Sequence, residues 1–191
     1  MVNALTMEDY LIFEDSVFCV AIKDSEIVGS VKITRWNENS LLPIQKLFDI
    51  DPAMFINKGF KSVWHIGRFA ISKSEKDGAK LLKNLIAIAV YPVCKAANSI
   101  MLAECDSKFV RVLNLIGLRT EQLAQGIDYL GSETIPVYST QEWLASFLNK
   151  SSYYKDALNF YNKIESKEKL SEHYVQEHYL QDLKLAINLA C

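Results

Sequence analysis

The run Val63-Trp64-His65-Ile66-Gly67-Arg68-Phe69-Ala70-Ile71 sets a histidine, a glycine and an arginine inside an otherwise apolar, strand-like stretch. A strand made only for packing has little use for that set, because polar side chains inside a buried strand cost free energy unless they are paired or used. The imidazole of His65 is a group that can accept a proton at neutral pH, and the guanidinium of Arg68 can grip a carboxylate or a phosphate through two parallel hydrogen bonds. Each has a plainer competing reading. His65 can be a buried histidine satisfied by a backbone carbonyl, and Arg68 can form a structural salt bridge with one of the chain's acids. Strict alternation places His65 and Arg68 on opposite faces of a strand. A bulge at Gly67 brings them together, and glycine inside a strand often marks one.

Other reactive residues offer less. Cys105 ends an apolar run and could act as a nucleophile, but no histidine lies near it in sequence. His173 and His178 are five apart, which on a helix sets them on different faces, and no zinc-ligand spacing occurs elsewhere; no metal is expected.

The elements that must position these groups read as mixed α/β. Val17 to Ile22 and Ile27 to Thr34 are two β-rich runs separated by Lys23-Asp24-Ser25-Glu26, a hairpin pattern. Between Asn37 and Lys61 the periodicity fades. Pro43, Pro52, Asn57 and Gly59 punctuate this stretch while Leu47, Phe48, Met54, Phe55 and Phe60 keep it apolar, so an ordered excursion packed on the body is expected. After the Val63 to Ile71 strand, Ser74 followed three residues later by Asp77 resembles a capping box. A long helix then runs through Leu81, Leu82, Leu85, Ile86, Ala89 and Val93, kinked or ended near Tyr91 by Pro92. Ser99 to Cys105 is a further strand. Asp106 or Ser107 caps a helix that stops at Gly117. A last β unit spans Arg119 to Thr140 with turns at Gly126, Asp128 and Gly131-Ser132, and Pro136 argues for an edge or a bulge. Beyond it the spacing predicts helices over Gln141 to Leu148, Tyr153 to Ser166 and Ser171 to Ala190. The organisation is therefore a domain over residues 1–140 with a helical extension over 141–191 that packs on it or on a partner, a homodimer included.

Composition bounds the function classes. A chain of 191 residues, half of them hydrophobic and 23% charged, is ordinary for a folded globular protein. The net charge of -2 gives no global reason to expect nucleic acid or an anionic membrane as partner. Cys19, Cys94, Cys105 and Cys191 are widely spaced and follow no signal peptide, which reads as reduced thiols in a cytoplasmic protein. The longest apolar run, Leu85 to Cys94, is about half of the ~20 residues a membrane-spanning helix needs, so an integral membrane protein is not expected.

Val28-Gly29-Ser30-Val31-Lys32, Leu41-Leu42-Pro43 through Phe48, Trp64-His65-Ile66-Gly67-Arg68-Phe69 and Arg111 through Gly117 follow one another in a recognisable order. In that order the chain resembles the acyl-homoserine-lactone (autoinducer) synthases and the long-chain N-acyl amino acid synthases, both of the GNAT acyltransferase superfamily. The resemblance covers Val17 to Thr140. It implies a GNAT-like, mostly antiparallel sheet flanked by helices, with an acyl thioester donor of coenzyme A or an acyl carrier protein lying between the Trp64 to Ile71 strand and the Ser99 to Cys105 strand. Ala70 and Ile71 would then border the donor's arm, and its phosphate would sit near Asp77, Gly78 and Ala79 at a helix N-terminus, where unpaired N–H groups favour an anion. Lys32, Trp64, Arg68, Phe69 and Arg111 are implied as substrate-binding. His65 is implied as the base that strips a small-molecule amine of its proton before it attacks the thioester.

Three departures from the family's pattern shape the expectation. Its acidic residue on the central strand is His65 here, its arginine on the second hairpin strand is Lys32, and only about sixteen residues precede the first strand, so its N-terminal segment is expected to be absent. Amide formation on an amine or amino acid is thus expected rather than lactone formation. Lys73, Lys76, Lys80 and Lys83 can receive an acidic carrier protein or simply form a solvated helix face. Phe48, Phe55, Phe60, Trp64 and Phe69 can line an acyl pocket or simply fill a core. Two alternatives stay open: a catalytically silent module that binds an acyl ligand or a protein, and an acetyl-coenzyme A N-acetyltransferase, whose usual loop is reduced here to Gly78-Ala79 with Lys76 upstream.

Overall fold

The computed structural model describes residues 15–39, 41–150, 154–171 and 186–188. It opens with the expected hairpin, β1 (Ser16–Lys23) and β2 (Glu26–Arg35), turned by Asp24 and Ser25. Both residues have positive φ, the turn whose twist matches that of paired strands. Next come α1 (Pro43–Phe48) and α2 (Ala53–Asn57), then β3 (Ser62–Ile71), α3 (Gly78–Lys95), β4 (Ser99–Asp106) and α4 (Ser107–Leu115). The chain continues through β5 (Glu121–Gln122), β6 (Ile127–Tyr129), β7 (Ser132–Thr140), α5 (Gln141–Lys150), α6 (Tyr154–Ser171) and β8 (Ala186–Asn188). The strands form one eight-stranded sheet in the order β5-β7-β4-β3-β2-β1-β8, with β6 also on β7. Only the β3–β4 and β1–β8 pairs are parallel.

The sheet separates two apolar clusters. On one face α3, α5 and α6 cover Cys19, Ala21, Val31, Ile33, Met101, Ala103 and Val137, and Leu144, Phe147, Leu148, Ala157 and Phe160 of the last two helices join that core. On the other face the excursion folds back, so that Leu42, Ile44 and Phe55 pack on Val63, Ile100 and Leu102, with Phe48 and Phe60 alongside. The mixed α/β reading, the hairpin and the packed excursion hold.

Local expectations fared unevenly. Asp106 caps α4 by accepting from the Lys108 N–H at 2.7 Å. The helix ends as Gly117 suggested: with φ +90 at Gly117, the Leu118 N–H reaches Leu113 O at 2.9 Å and the Gly117 N–H reaches Asn114 O at 3.0 Å. The capping box of Ser74 and Asp77 does not form. Asp77 is itself the N-cap of α3, its N–H donates to Glu75 Oε1 at 2.9 Å, and the Ser74 hydroxyl pairs with Ser72.

Pro92 lies inside α3 and does not end it, since the helix runs on to Lys95. The proline cannot donate to the Ile88 carbonyl, and the Tyr161 hydroxyl of α6 donates to that oxygen instead, at 3.0 Å. Pro136 is not on an edge strand, because β7 pairs with β4 on one side and with β5 and β6 on the other. Its carbonyl accepts from Leu123 N in the gap between β5 and β6, and its missing N–H faces the same gap. Asp128, read as a turn residue, belongs to β6, and the turn is Leu130-Gly131.

The helix expected over Ser171 to Ala190 falls largely outside the described residues, as do His173, His178 and Cys191. Within them, Ala186–Asn188 is a strand in parallel register with Val20–Ile22 of β1. Among the described residues no helix is long and apolar enough to cross a membrane.

Candidate active site where two parallel strands part

The pairing of β3 with β4 begins at Ser62 and Ser99 and stops at His65 and Leu102. Both strands continue, β3 held by β2 as far as Ile71 and β4 held by β7 as far as Asp106. Between them the sheet opens, and beyond His65 the edge of each that faces the other has no strand partner among the described residues. A cavity of about 360 Å3 fills the opening. Its walls are mostly apolar: Ile66 and Phe69 from β3, Ile86, Ala89 and Val90 from α3, Met101 and Ala103 from β4, Phe109 and Leu113 from α4, and Leu118. Its polar lining comes from Arg68, Glu104 and Asp106. The Phe69 and Phe109 rings lie 5.1 Å apart at one wall.

The bulge expected in β3 is present, one residue on from where glycine pointed. Lys32 of β2 pairs with Gly67 and Ser30 with Ala70, so Val31 faces two residues of β3. Arg68 takes the strain with φ 52, a left-handed conformation that costs a non-glycine residue roughly 1–2 kcal/mol. The Ser30 hydroxyl donates to the Arg68 carbonyl at 3.1 Å and ties the bulge down.

His65 lies on the sheet face turned away from α3. Its Nε2 is 2.9 Å and 3.1 Å from the two carboxylate oxygens of Glu104. A carboxylate only accepts, so Nε2 carries the proton of this hydrogen bond and donates it. Nδ1 is buried with no hydrogen-bond partner. The imidazole is 2% exposed and does not line the cavity; Glu104, reached by parallel strands two positions past Leu102, does. Of the pair, Glu104 is the member that borders the cavity, and the histidine holds its carboxylate. Gly67 makes room for this pair, because a Cβ there would come within 2.9 Å of His65 Cε1.

The implied site residues separate into groups. His65, Gly67 and Lys32 come together: Lys32 is 2% exposed, sits across the ladder from Gly67, and holds its ammonium 5.1 Å from the Phe18 ring centroid. Arg68 and Phe69 line the cavity. Trp64 points to the opposite face, packs on the larger core and donates from its ring nitrogen to Ser62 Oγ at 3.2 Å. Arg111 is on the exposed side of α4, two residues from both Phe109 and Leu113, which are the residues that face the cavity. Ala70 and Ile71 end β3 and Asp77, Gly78 and Ala79 stand at the start of α3, with Ile71 Cγ2 3.9 Å from the place of a Cβ at Gly78.

Of the aromatic residues considered for a pocket, only Phe69 lines it; Phe48, Phe55 and Phe60 pack in the smaller cluster. Cys105 lines the cavity, but burial pushes its thiol to about 12, aided by the neighbouring charges of Glu104 and Asp106. A thiol so strongly protonated is a poor nucleophile. Glu104 was absent from the sequence reading. Its signal was there, a lone carboxylate in the run Met101-Leu102-Ala103-Glu104-Cys105, whose alternation sets it on the face of Leu102.

No protein-family model and no curated sequence matches this chain. Solved structures do. The coenzyme A-dependent acyl-homoserine lactone synthase BjaI, with MTA, superposes over 72% of this chain and 64% of its own at a TM-score of 0.52 and 16% identity. FeeM, an N-acyl amino acid synthase from uncultured soil microbes, matches over 75% of this chain and 94% of its own at 0.53 and 10% identity. TofI, in a ternary complex with an inhibitor and MTA, matches over 72% and 71% at 0.53 and 16% identity. This chain thus spans less than two thirds of BjaI. The resemblance seen in the sequence is one of fold: a GNAT-like sheet shared with acyl-homoserine lactone and N-acyl amino acid synthases.

Proposed function

We propose, with that shared sheet as premise, that this chain is an N-acyltransferase that moves an acyl group from a pantetheine thioester to a small amine or amino acid. The observation that supports this most is an apolar cavity between parting parallel strands that Glu104 borders, its carboxylate held by a buried imidazole. In this reading the acyl chain occupies the cavity and the pantetheine arm pairs with the open edges of β3 and β4. Glu104 takes the proton from the acceptor's ammonium, and the freed amine attacks the thioester carbonyl. The carbon–sulfur bond breaks, the nitrogen's second proton passes to the departing thiolate to give the free thiol, and Glu104 releases the first to solvent. His65 holds Glu104 in place and is a positioning residue, so the base is the carboxylate and the histidine supports it. Arg68, at the rim, binds the acceptor's carboxylate when an amino acid is used.

The cavity volume argues about chain length. An engineered cavity of about 150 Å3 accommodates benzene. The space here, about 360 Å3, suits an acyl chain of medium length and is wasteful for an acetyl group. The test is thiol release from acyl-coenzyme A, acyl-carrier-protein and acyl-pantetheine donors of two to sixteen carbons, with and without a mixture of amines and amino acids. Acceptor-dependent release that peaks at medium chains is the expected result. Release that peaks at the acetyl donor, or none from a folded protein, would overturn it.

A second reading is favoured by the depth of His65: a module that binds an acyl chain without turnover. It predicts tight binding of acyl-pantetheine with no acceptor-dependent release.

A further inference from the structure

The loop between β3 and α3 is where a coenzyme A thioester would place its diphosphate, on backbone N–H groups at the start of the helix. In this chain that loop has already used much of that capacity on itself. The Ser72 N–H donates to Val28 O at 2.8 Å, the Glu75 N–H to Ser72 O at 3.1 Å and the Ser74 N–H to Ser72 Oγ at 3.4 Å. The Asp77 N–H, at the N-cap of α3, donates to Glu75 Oε1 at 2.9 Å. Lys23, reaching over from the β1–β2 turn, clamps the same carboxylate at 3.1 Å and 3.2 Å. Glu75 is held so firmly that its side chain is 6% exposed. The Asp77 N–H and then Lys23 keep its carboxyl ionised to below the ordinary range.

A fixed carboxylate, paired with Lys23, therefore stands beside the place where the diphosphate's charge would have to go. Two anions at one helix N-terminus repel each other, and the Asp77 N–H that Glu75 has taken is not open to a diphosphate. We infer that Glu75 is a specificity-determining residue: an internal carboxylate stands beside the diphosphate position, so the donor is recognised by its acyl chain and pantetheine arm and gains nothing from a nucleotide. This rests on the acyl-transfer reading, but it concerns how the donor is held rather than what is done to it. The lysines around the helix start, Lys73, Lys76 and Lys80, are exposed and still attract an acidic donor from a distance without gripping a diphosphate.

The experiment compares two donors bearing the same medium acyl chain, S-acyl-pantetheine and acyl-coenzyme A, which differ only by the nucleotide and its phosphates. For each, kcat/KM is measured with the acceptor in excess, and equilibrium binding is measured without it. The expected result is that the wild-type protein treats the two alike, within roughly threefold, and that adenosine 3′,5′-bisphosphate does not compete. Glu75→Ala, which frees the Asp77 N–H and removes the charge, is expected to shift the ratio toward acyl-coenzyme A by about tenfold. Glu75→Gln keeps an acceptor but loses the charge, and is expected to fall between; it also serves if the alanine variant does not fold. A wild-type preference for acyl-coenzyme A of tenfold or more, or a ratio that neither substitution moves, overturns the inference. Equal binding of both donors with no turnover from either would sink the acyl-transfer reading and leave this one standing, whereas failure of both donors to bind would sink both.

Discussion

The first half of β3, Ser62 to His65, and its second half, Ile66 to Ile71, have similar residue types and opposite roles. The first half is zipped to β4 and places Val63 beside Ile100 and Leu102 in a closed core. The second has lost β4 as a neighbour, includes a bulge with a left-handed arginine, and borders a cavity. Hydrophobic residues serve both halves, so residue type alone does not separate packing from function; the hydrogen-bond ladder does. Where the ladder is complete, a side chain is there to fill space. Where it ends, the same kind of side chain lines space that something else can fill.

That contrast can be broken by mutation. Leu102, fully buried at the last paired position, should behave as core: Leu102→Ala is expected to cost about 2–5 kcal/mol in denaturant unfolding, with kcat of the remaining folded protein little changed. A kinetic defect without a stability loss would mean that the paired half also belongs to the site. Glu104→Gln should do the reverse, lowering kcat by roughly 100-fold or more while leaving the unfolding midpoint close to wild type, because it removes the proton acceptor but keeps the hydrogen-bonding shape. Unchanged turnover would remove Glu104 from the role of base.

Gly67→Ala tests whether the space over Gly67 matters. Its new Cβ must displace the His65 ring, and a loss of roughly tenfold in kcat with donor affinity preserved is expected. Full activity there would show that the orientation of His65 is immaterial. Tyr161→Phe removes the donor that satisfies the Ile88 carbonyl beside Pro92 and should cost about 1–3 kcal/mol with no kinetic effect, as measured by thermal and denaturant unfolding. The smallest effect concerns pH. Glu75 titrates below its ordinary 4.5 in the folded chain, chiefly because of the Asp77 N–H, so it adds stability that is present at neutral pH and is lost as pH falls through its folded-state value. Glu75→Gln should be slightly less stable than wild type at pH 7 and indistinguishable from it near pH 3. A gap that persists in acid would show that charge is not its source.

Much of the fold was legible because it is written in local chemistry. The hairpin turn at Asp24-Ser25, the Asp106 cap and the Gly117 stop each depend on a few adjacent residues, and each appears where the pattern placed it. Tertiary partners explain the failures. Of the two effects Pro92 suggests, a kink or an end near Tyr91, the end does not occur, and the residue that satisfies the orphaned Ile88 carbonyl, Tyr161, belongs to another helix. Of the two places Pro136 suggests, an edge or a bulge, the edge fails because β7 is paired on both sides, while the interruption between β5 and β6 opposite the proline is an irregularity of the second kind. In the site, the polar set in β3 was visible, while Glu104 was missed although alternation placed it on the His65 face; what the sequence did not supply was the register that brings Leu102 opposite His65. The same register explains why Arg111 fell away. Its helix faces the cavity through Phe109 and Leu113, and Arg111 lies between them on the turn that points outward.

The bulge at Arg68 acts as a change of phase. Up to it, even-numbered residues of β3, Trp64 and Ile66, face the helices; after it the odd-numbered ones do, Phe69 and Ile71. The same sequence run straight through residue 68, with no bulge, would keep its parity, turn Phe69 toward the polar face and turn Ala70 toward the helices. Deleting residue 68 would therefore remove the bulge and leave Phe69 and Ile71 facing the helices, so the left-handed backbone at Arg68 is what absorbs the one residue by which β3 outnumbers its neighbour and keeps the apolar wall of the cavity in phase.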